Sequence, residues 1–530
     1  MDYIGFPKDL PEKFRPDFAS LYNEVARLRE EVNSLKRREF SHRSERYDIP
    51  DPLFPIGSLF NEPEKILLQE ALIKEKSKEA VPSENSEKET STQKPTPKKQ
   101  GGKKPLSDKL PREVQIHDLP EEEKICKNNL TPLVAIGEDV VEKVDIVPMK
   151  VKVVQHRYLK YACPCCEQNI VRAKTLPSLI PGSIAESGLL AHIATNKYYF
   201  ALPLYRQESI FKQNGFEIPR VTLARWMISV GESILPLVNE IKEYILSHNV
   251  VHCDETHVQV LKEESKKATS KSYMWVLASG MSALYPAVVF QYYSNRTQES
   301  AEHFLEYFNG YLQVDGYGGY NSISNRPGVT RVGCWSHARR KFDVAFKDGA
   351  PTGKVVSELF IKEIQKLFLL ERDFVSLSSE ERLLVRQEKS KPIIQNIRNL
   401  IDNYVTQITP RSKLGIAFGY ISGEWPQLIQ FLNHGSISLS NNRVENAIRP
   451  FAIGRNNWLF SYSTDGADAS AAIYSLISTA KENKLHVEEY LNDVFTQLPL
   501  LNKQENPCYE SLLPWNWAKN HPQHVVPDRK

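Results

Sequence analysis

The stretch Asn249-Val-Val-His-Cys-Asp-Glu-Thr-His-Val-Gln-Val-Leu261 sets two acids into the middle of an apolar, β-branched run. Val250, Val251, Val258 and Val260 favour a strand. Asp254 and Glu255 are costly inside such a strand unless a cation or another polar group meets them. A second acid ends another strand-like run, Tyr311-Leu-Gln-Val-Asp315-Gly-Tyr-Gly-Gly-Tyr320, and a third lies in Ser440-Asn-Asn-Arg-Val-Glu445-Asn-Ala-Ile-Arg449, which reads as helix. Two aspartates on neighbouring strands and a glutamate on a helix are the donor set that a two-metal phosphoryl-transfer site needs, because magnesium takes hard oxygen ligands.

Working outward, residues 272–278 and 287–293 read as two more strands, and residues 297–308 as a helix stopped by Asn309-Gly310. The run ending at Asp315 follows, then a strand at 330–335 that leads into a helix beginning Ser336-His-Ala-Arg-Arg-Lys-Phe342. Three strands, helix, strand, helix, strand is the order of a ribonuclease H-like α/β domain, which carries carboxylates on its first strand, after its fourth and on a late helix. Val355, Val356, Leu359, Phe360, Ile364, Leu367 and Phe368 recur at helical spacing, as do Ile393, Ile397, Leu400, Ile401 and Tyr404. The spacing predicts an all-helical insertion at about 347–435, ahead of the third acid.

Upstream, Leu21, Val25, Leu28, Val32 and Leu35 alternate at four and three, the spacing of a short coiled-coil seam. A basic tail with Arg37, Arg38, Arg43 and Arg46 follows it. Residues 74–105 are Lys, Glu, Ser, Thr and Pro with almost no large apolar residue, the composition of a disordered linker. Cys163 and Cys166 form a C-x-x-C, half of a tetrahedral zinc site, with Cys126 as a third thiol and Cys165, His156 or His117 as fourth. Bound zinc and buried free thiols both remain open at this point. Residues 203–215 read as a helix ended by Asn-Gly, and a second helix follows Pro219, a helix-turn-helix pattern with Arg220 and Arg225 on or near its second member. Ordinary helix packing gives the same pattern. Arg339 and Arg340 follow the fifth strand of the acidic domain, and Arg449 lies one turn after Glu445 on the same helix face.

A chain of 530 residues suggests two to four domains, and 41% hydrophobic with 10% aromatic residues is a globular composition. The net charge of +3 means that nucleic acid, if bound, is met by local clusters rather than by a basic chain. No run approaches the roughly 18 apolar residues of a membrane span, and the opening Met1-Asp-Tyr-Ile-Gly lacks a signal-peptide core, so a cytoplasmic location is expected. Seven cysteines, unevenly spread, fit reduced thiols and a metal site better than a disulfide framework.

Taken in order, these residues resemble the transposases of the insertion sequence 66 family, members of the DDE superfamily. The resemblance rests on Leu28-Arg-Glu, Lys36-Arg-Arg and Arg43-Ser-Glu-Arg46, Pro111-Arg-Glu, His117-Asp-Leu-Pro and Lys160-Tyr-Ala-Cys163 with Cys166. It continues through Pro203-Leu-Tyr-Arg-Gln207, Asp254-Glu-Thr256, Asp315-Gly-Tyr317, Cys334-Trp-Ser-His-Ala-Arg-Arg340 and Asn442 to Glu445. It closes on Gly454-Arg455, Asn457-Trp-Leu-Phe460, Tyr474-Ser-Leu-Ile477 and Leu513-Pro-Trp515. Three positions depart from the family's pattern: Lys127-Asn-Asn after Cys126, Ser440 before the two asparagines, and Asn456 after Arg455.

The resemblance implies a multidomain α+β protein. Its parts are a coiled-coil and basic helix at 1–50, the linker at 74–105, a zinc-finger-like β module at 106–178 and a helical DNA-binding region at 179–248. A ribonuclease H-like catalytic domain at 249–480 and a C-terminal segment at 481–530 complete it. Asp254, Asp315 and Glu445 fall on the catalytic triad, with Mg²⁺ or Mn²⁺ as cofactor, and Cys126, Cys163 and Cys166 on the zinc module. Arg37, Arg38, Arg220, Arg225, Arg339, Arg340, Arg449 and Arg455 are the candidate DNA contacts. The implied activity is cleavage at the ends of the element, bound through its terminal inverted repeats, and joining of the 3′-hydroxyl to target DNA. Implied partners are double-stranded DNA, further copies of the chain and accessory proteins encoded by the same element, with the protein in the cytoplasm on the nucleoid. The competing readings are an inactive DNA-binding relic and a coiled-coil scaffold.

Overall fold

The computed structural model describes residues 149–162, 170–264 and 266–527, together with Leu28. Two compact units divide the chain, Met1–Gly57 with Val153–Lys530, and Ser58–Lys152. Residues 149–152 of the second form no helix or strand. The expected coiled-coil helix with Arg37 and Arg38, the linker, and Cys126, Cys163, Cys165, Cys166 and His117 lie outside the described residues.

The described part of the first unit opens with β1 (Lys160–Ala162) antiparallel to β2 (Ile170–Arg172). Helix α1 (Ser187–Ala194) runs on through a π turn at Thr195–Tyr199, and α2 (Leu204–Gln213) and α3 (Arg220–Leu246) follow. A six-stranded sheet is built from β3 (Val250–Lys262), β4 (Lys271–Ser279), β5 (Val288–Tyr293), β6 (Gly310–Gln313) and β7 (Val329–Val332), in the order β5-β4-β3-β6-β7, with a short β8 (Ser461–Ser463) on β3. β3, β4 and β5 are antiparallel neighbours, whereas β6 and β7 run parallel to β3. Helix α4 (Gln298–Phe304) bridges β5 and β6, and the short α5 (Asn321–Ser324) bridges β6 and β7. After β7 come α6 (Trp335–Asp348), α7 (Pro351–Asp373), α8 (Ser379–Val385), α9 (Lys391–Tyr404), α10 (Lys413–Gly423) and α11 (Trp425–Leu428). Helix α12 (Asn442–Trp458) then returns to the sheet, followed by β8, α13 (Thr464–Glu482), α14 (Val487–Leu501) and α15 (Pro514–Asn520).

Strands form where β-branched and aromatic residues cluster, and β4 is buried along nearly its whole length because helices cover both faces. The open edge at β5 is closed by a helix. Ser475 and Thr479 of α13 meet the strand backbone: Phe290 N donates to Ser475 Oγ at 2.7 Å and Val288 N to Thr479 Oγ1 at 3.0 Å. Thr479 Oγ1 donates in turn to Val288 O at 2.9 Å. Unpaired strand amides that would otherwise invite another chain are thereby satisfied. Helix α13 crosses α3 so closely that a Cβ on Gly231 would lie 2.5 Å from the Ala469 backbone.

Two expectations change. The helix expected at 297–308 ends at Phe304, because Tyr307 turns into left-handed backbone at φ 67° and the carbonyls of Leu305 and Phe308 are taken by Arg326 at 2.9 and 2.7 Å. The second helix of the expected helix-turn-helix is no short recognition helix. It is 27 residues long and buries Leu223, Trp226, Val230, Ile234, Leu237, Ile241 and Ile245. By length and composition alone it is apolar enough to cross a membrane, although no such run was expected, but its apolar side is spent on packing within the protein. The helices α6, α7, α9 and α10 share one apolar core in which the rings of Phe342 and Phe360 stack at 4.4 Å with Phe418 edge-on. That core also takes in Val250 of β3, Val332 of β7 and Trp335, so the helices pack directly onto the sheet.

Candidate active site

The register of the parallel pair brings the two aspartates level. Val250, Val251 and His252 stand opposite Tyr311, Leu312 and Gln313, and the same offset carried two residues on sets Asp254 beside Asp315. Neighbouring strands lie about 4.8 Å apart, so the two carboxyl groups share one edge of the sheet. Asp315 is the second residue after β6; its Oδ1 accepts the Tyr317 amide at 2.9 Å, and its carbonyl accepts Arg331 Nη2 at 3.0 Å. Arg331, buried on β7, is held by Glu424 at 2.7 Å and Asn321 at 3.0 Å. The residue after the aspartate is glycine for a steric reason: a Cβ on Gly316 would lie 2.6 Å from the Tyr420 ring.

Glu445 comes to the aspartates on the first turn of α12, and a buried asparagine fixes that turn. Asn441 Nδ2 donates to Cys253 O at 2.9 Å, its Oδ1 pairs with His252 Nδ1 at 3.0 Å, and its backbone N donates to Cys334 Sγ at 3.2 Å. One residue thus ties the glutamate helix to the strand that bears Asp254, through its side chain, and to the start of α6, through its backbone amide. At the other end of α12, Arg455 donates to Thr256 Oγ1 at 3.0 Å and to the His257 carbonyl.

The two acids of β3 do different work. Glu255 is committed: Arg296 forms an ion pair with it and the Tyr320 hydroxyl donates to it at 2.6 Å, while the Arg296 guanidinium lies 3.5 Å from the Tyr317 ring centre. Among the described residues, Asp254 accepts only the Glu255 amide, at 2.8 Å. Burial, with the Glu255 and Asp315 carboxylates and more weakly Glu445, pushes Asp254 up to about 8. A carboxyl raised in this way is short of positive charge. Glu445 meets helix α6: its Oε2 is 3.3 Å from Arg340 Nη2 and its Oε1 is 3.7 Å from His337 Nδ1, while Arg340 Nη1 is 3.3 Å from His337 Nε2. Neither Glu445 Oε1 nor His337 Nδ1 has a hydrogen-bond partner among the described residues, and both atoms are buried.

Asp254, Asp315 and Glu445 are hard oxygen donors of the kind a divalent cation takes, and Glu445 is the weakest of the acidic neighbours felt by Asp254. A second group of donors, Cys334 Sγ, a His337 nitrogen and a Glu445 oxygen, lies within 4.8 Å of one another. Cys334 is a poor ligand there, because burial pushes its thiol up to about 11 and its sulfur already accepts the Asn441 amide.

Of the expected DNA contacts, Arg339 is corrected: it is buried on the core side of α6, along with Ala338 and Phe342, and is not presented to a phosphate. Arg340, its neighbour, is exposed and engaged with Glu445. Arg220 and Arg225 are exposed at the start of α3, where the Arg220 amide donates to Glu208 at 3.0 Å. Arg449 is half-buried on α12. His156, one candidate zinc ligand, has its Nε2 2.7 Å from Glu186 Oε1. The sequence reading missed Asn441, His252, His337, Tyr320 and Arg296. Asn441 and His337 stood inside quoted motifs, but nothing in their spacing says what they touch.

Comparison with known proteins agrees along the chain. Residues 182–469 match the family described as Transposase IS66 family, and residues 123–167 match the zinc-finger binding domain of transposase IS66. Residues 475–515 match the IS66 C-terminal element, and residues 27–114 match the family described as Transposase C of IS166 homeodomain. Among curated proteins the chain is similar to the uncharacterized proteins y4jD and y4hP of Sinorhizobium fredii (strain NBRC 101917 / NGR234). The first is 31% identical over 421 residues, 77% of this chain and 81% of the relative. The second is 28% identical over 511 residues, 93% of this chain and 89% of the relative. A third relative from the same strain, y4qI, is 33% identical over 399 residues, 72% of each chain. With its matched region spanning both aspartates and the glutamate of the sheet edge, the chain belongs to the IS66 transposase family.

Proposed function

We propose that this protein is an active DDE transposase that binds the inverted repeats of its element, cleaves at the ends and joins the freed 3′-hydroxyl to target DNA. The observation that supports the reading is the register of β3 and β6, which runs Asp254 level with Asp315 at the C-terminal edge of the parallel pair, together with the Asn441 anchor that ties the start of α12, and with it Glu445, to β3. The mixed strand order around that edge supports a ribonuclease H-like catalytic domain. Asp254, Asp315 and Glu445 would hold Mg²⁺ or Mn²⁺, and the ion would supply activation of the attacking water or hydroxyl and stabilisation of the leaving oxygen. The chain's own groups prepare this. Asn441 ties the start of the Glu445 helix to β3, Arg331 keeps the Asp315 backbone in place, and Arg296 with Tyr320 occupies Glu255, so that of the two acids of β3 Asp254 is the one left for a cation. Cys126, Cys163 and Cys166 hold zinc in the N-terminal module. The working form is a set of chains on DNA at the nucleoid, aided by other proteins of the element.

Asp254→Asn, Asp315→Asn and Glu445→Gln each remove a ligand charge and little volume. Each is expected to lower metal-dependent nicking of an end-bearing duplex by at least about 10³-fold, as removal of an essential charge-stabilising group does, while a mobility-shift assay shows DNA binding retained. Nicking at the unmutated rate by any of the three removes that residue from the triad. No nicking by the unmutated chain under any divalent cation leaves a DNA-binding relic.

A further inference from the structure

Both oxygens of Glu445 are turned toward helix α6, one 3.3 Å from Arg340 and the other 3.7 Å from His337. Arg340 also closes the triangle by reaching His337 at 3.3 Å. The guanidinium is nevertheless on the surface, with 56% of its side chain exposed, and Lys341 beside it is exposed too. An arginine that is bound on one side to a ligand carboxylate and open on the other to solvent has two possible anionic partners. A divalent cation and a guanidinium compete for the same carboxylate oxygens, while a DNA phosphate and the carboxylate compete for the same guanidinium.

Resting on the triad reading above, we propose that Arg340 is a positioning residue that couples DNA to metal. Without DNA it holds the Glu445 carboxylate against α6 and weakens its hold on a divalent cation. A backbone phosphate at this edge of the sheet draws the guanidinium away and frees both oxygens, so that the site takes up metal tightly only when DNA is in place. His337, 3.7 Å from the other oxygen, is the second side of the clamp. Such a device suits a nuclease-type centre, because it leaves the metal site weak in protein that carries no DNA. By thermodynamic reciprocity the metal must tighten DNA by the same factor that DNA tightens metal.

The test measures binding rather than turnover. Mn²⁺ affinity of the full chain is read by the electron paramagnetic resonance of free Mn²⁺, with and without a mixed-sequence duplex and after subtraction of a duplex-only titration. Duplex affinity is read by fluorescence anisotropy with and without Ca²⁺. The unmutated chain is expected to show a coupling of roughly 5- to 150-fold in both directions, the usual span for linked sites. Arg340→Gln is expected to bind Mn²⁺ more tightly than the unmutated chain when DNA is absent and to lose the coupling, and Arg340→Lys to restore part of it. Circular dichroism melts check that the variants fold. If Arg340→Gln binds Mn²⁺ equally or more weakly without DNA, or keeps the full coupling, the proposal is overturned and Arg340 merely props the glutamate. Glu445→Gln separates this from the reading beneath it: unchanged Mn²⁺ affinity in that variant overturns the triad itself, whereas weakened affinity leaves the triad standing whatever Arg340 does.

Discussion

A carboxyl that burial and neighbouring carboxylates push up to about 8 is mostly protonated at neutral pH while no cation is bound. The folded chain then holds a proton on Asp254 that the unfolded chain, with an ordinary aspartate near 3.9, has released. Stability from this group is fully present below the unfolded value and is lost as pH rises toward about 8. His252 works in the other sense, since burial lowers it to about 4, and its share of the pH dependence lies between that value and the ordinary histidine range. Asp254 titrates across the window from pH 6.5 to 8, above the range of His252. Chelator-treated protein is expected to lose about 2 kcal/mol across that window, while Asp254→Asn stays nearly flat and is the more stable of the two at pH 8. Thermal melts at matched ionic strength read both, and a flat profile in the unmutated chain would show that the aspartate is already ionised without metal.

Elements carry the next layer, since the acids function only if α12 and the helices behind it stay put. Arg386, at the π turn after α8, is fully buried and has its charge met by Glu371 at 2.7 and 2.6 Å. Its remaining donors go to the carbonyls of Phe431, His434 and Ile437 at 2.8, 2.9 and 2.8 Å, the segment that leads toward Glu445. Arg386→Leu strands a carboxylate and three carbonyls, so a loss of about 3–5 kcal/mol is expected, read as an early unfolding transition in calorimetry. An unchanged profile would mean that water replaces the guanidinium. Residues such as this also mark where sequence reading stops. The apolar faces of α7 and α9 and the strands β3 to β7 were legible because a period of 3.6 or 2 is local. Asp254 stood out for a local reason as well, a charge set inside an apolar β-branched run. Arg386 with Glu371, Asn441 with His252, and Ser475 with the edge of β5 were not legible, because a polar side chain's partner lies 15, 189 or 185 residues away and nothing local encodes it. The early end of α4 belongs here too, since Arg326 takes its terminal carbonyls from beyond β6.

At the scale of the whole chain, a net charge of +3 leaves DNA to be met by separate patches, and the fold sorts the arginines that composition alone treats alike. Arg339 is withdrawn into the core of α6 and Arg455 is spent on β3, whereas Arg220 and Arg225 stand exposed at the beginning of α3. The buried length of α3 makes it a rigid mount for those two, which is how a recognition surface gains precision without a free-standing reading helix. If this end of α3 reads bases at the element's ends, Arg225→Ala loses about 1–3 kcal/mol on that sequence, leaves a scrambled duplex nearly unchanged and so relaxes specificity. A phosphate contact behaves differently: it weakens every duplex alike and lowers the slope of log affinity against log salt by about one. Titrating cognate and scrambled duplexes at several salt concentrations separates the two for Arg220 and Arg225 in one experiment. Equal losses on both duplexes would move sequence recognition away from α3 and toward the N-terminal helix or the cysteine-bearing module, where chelation should then abolish the preference for the element's ends.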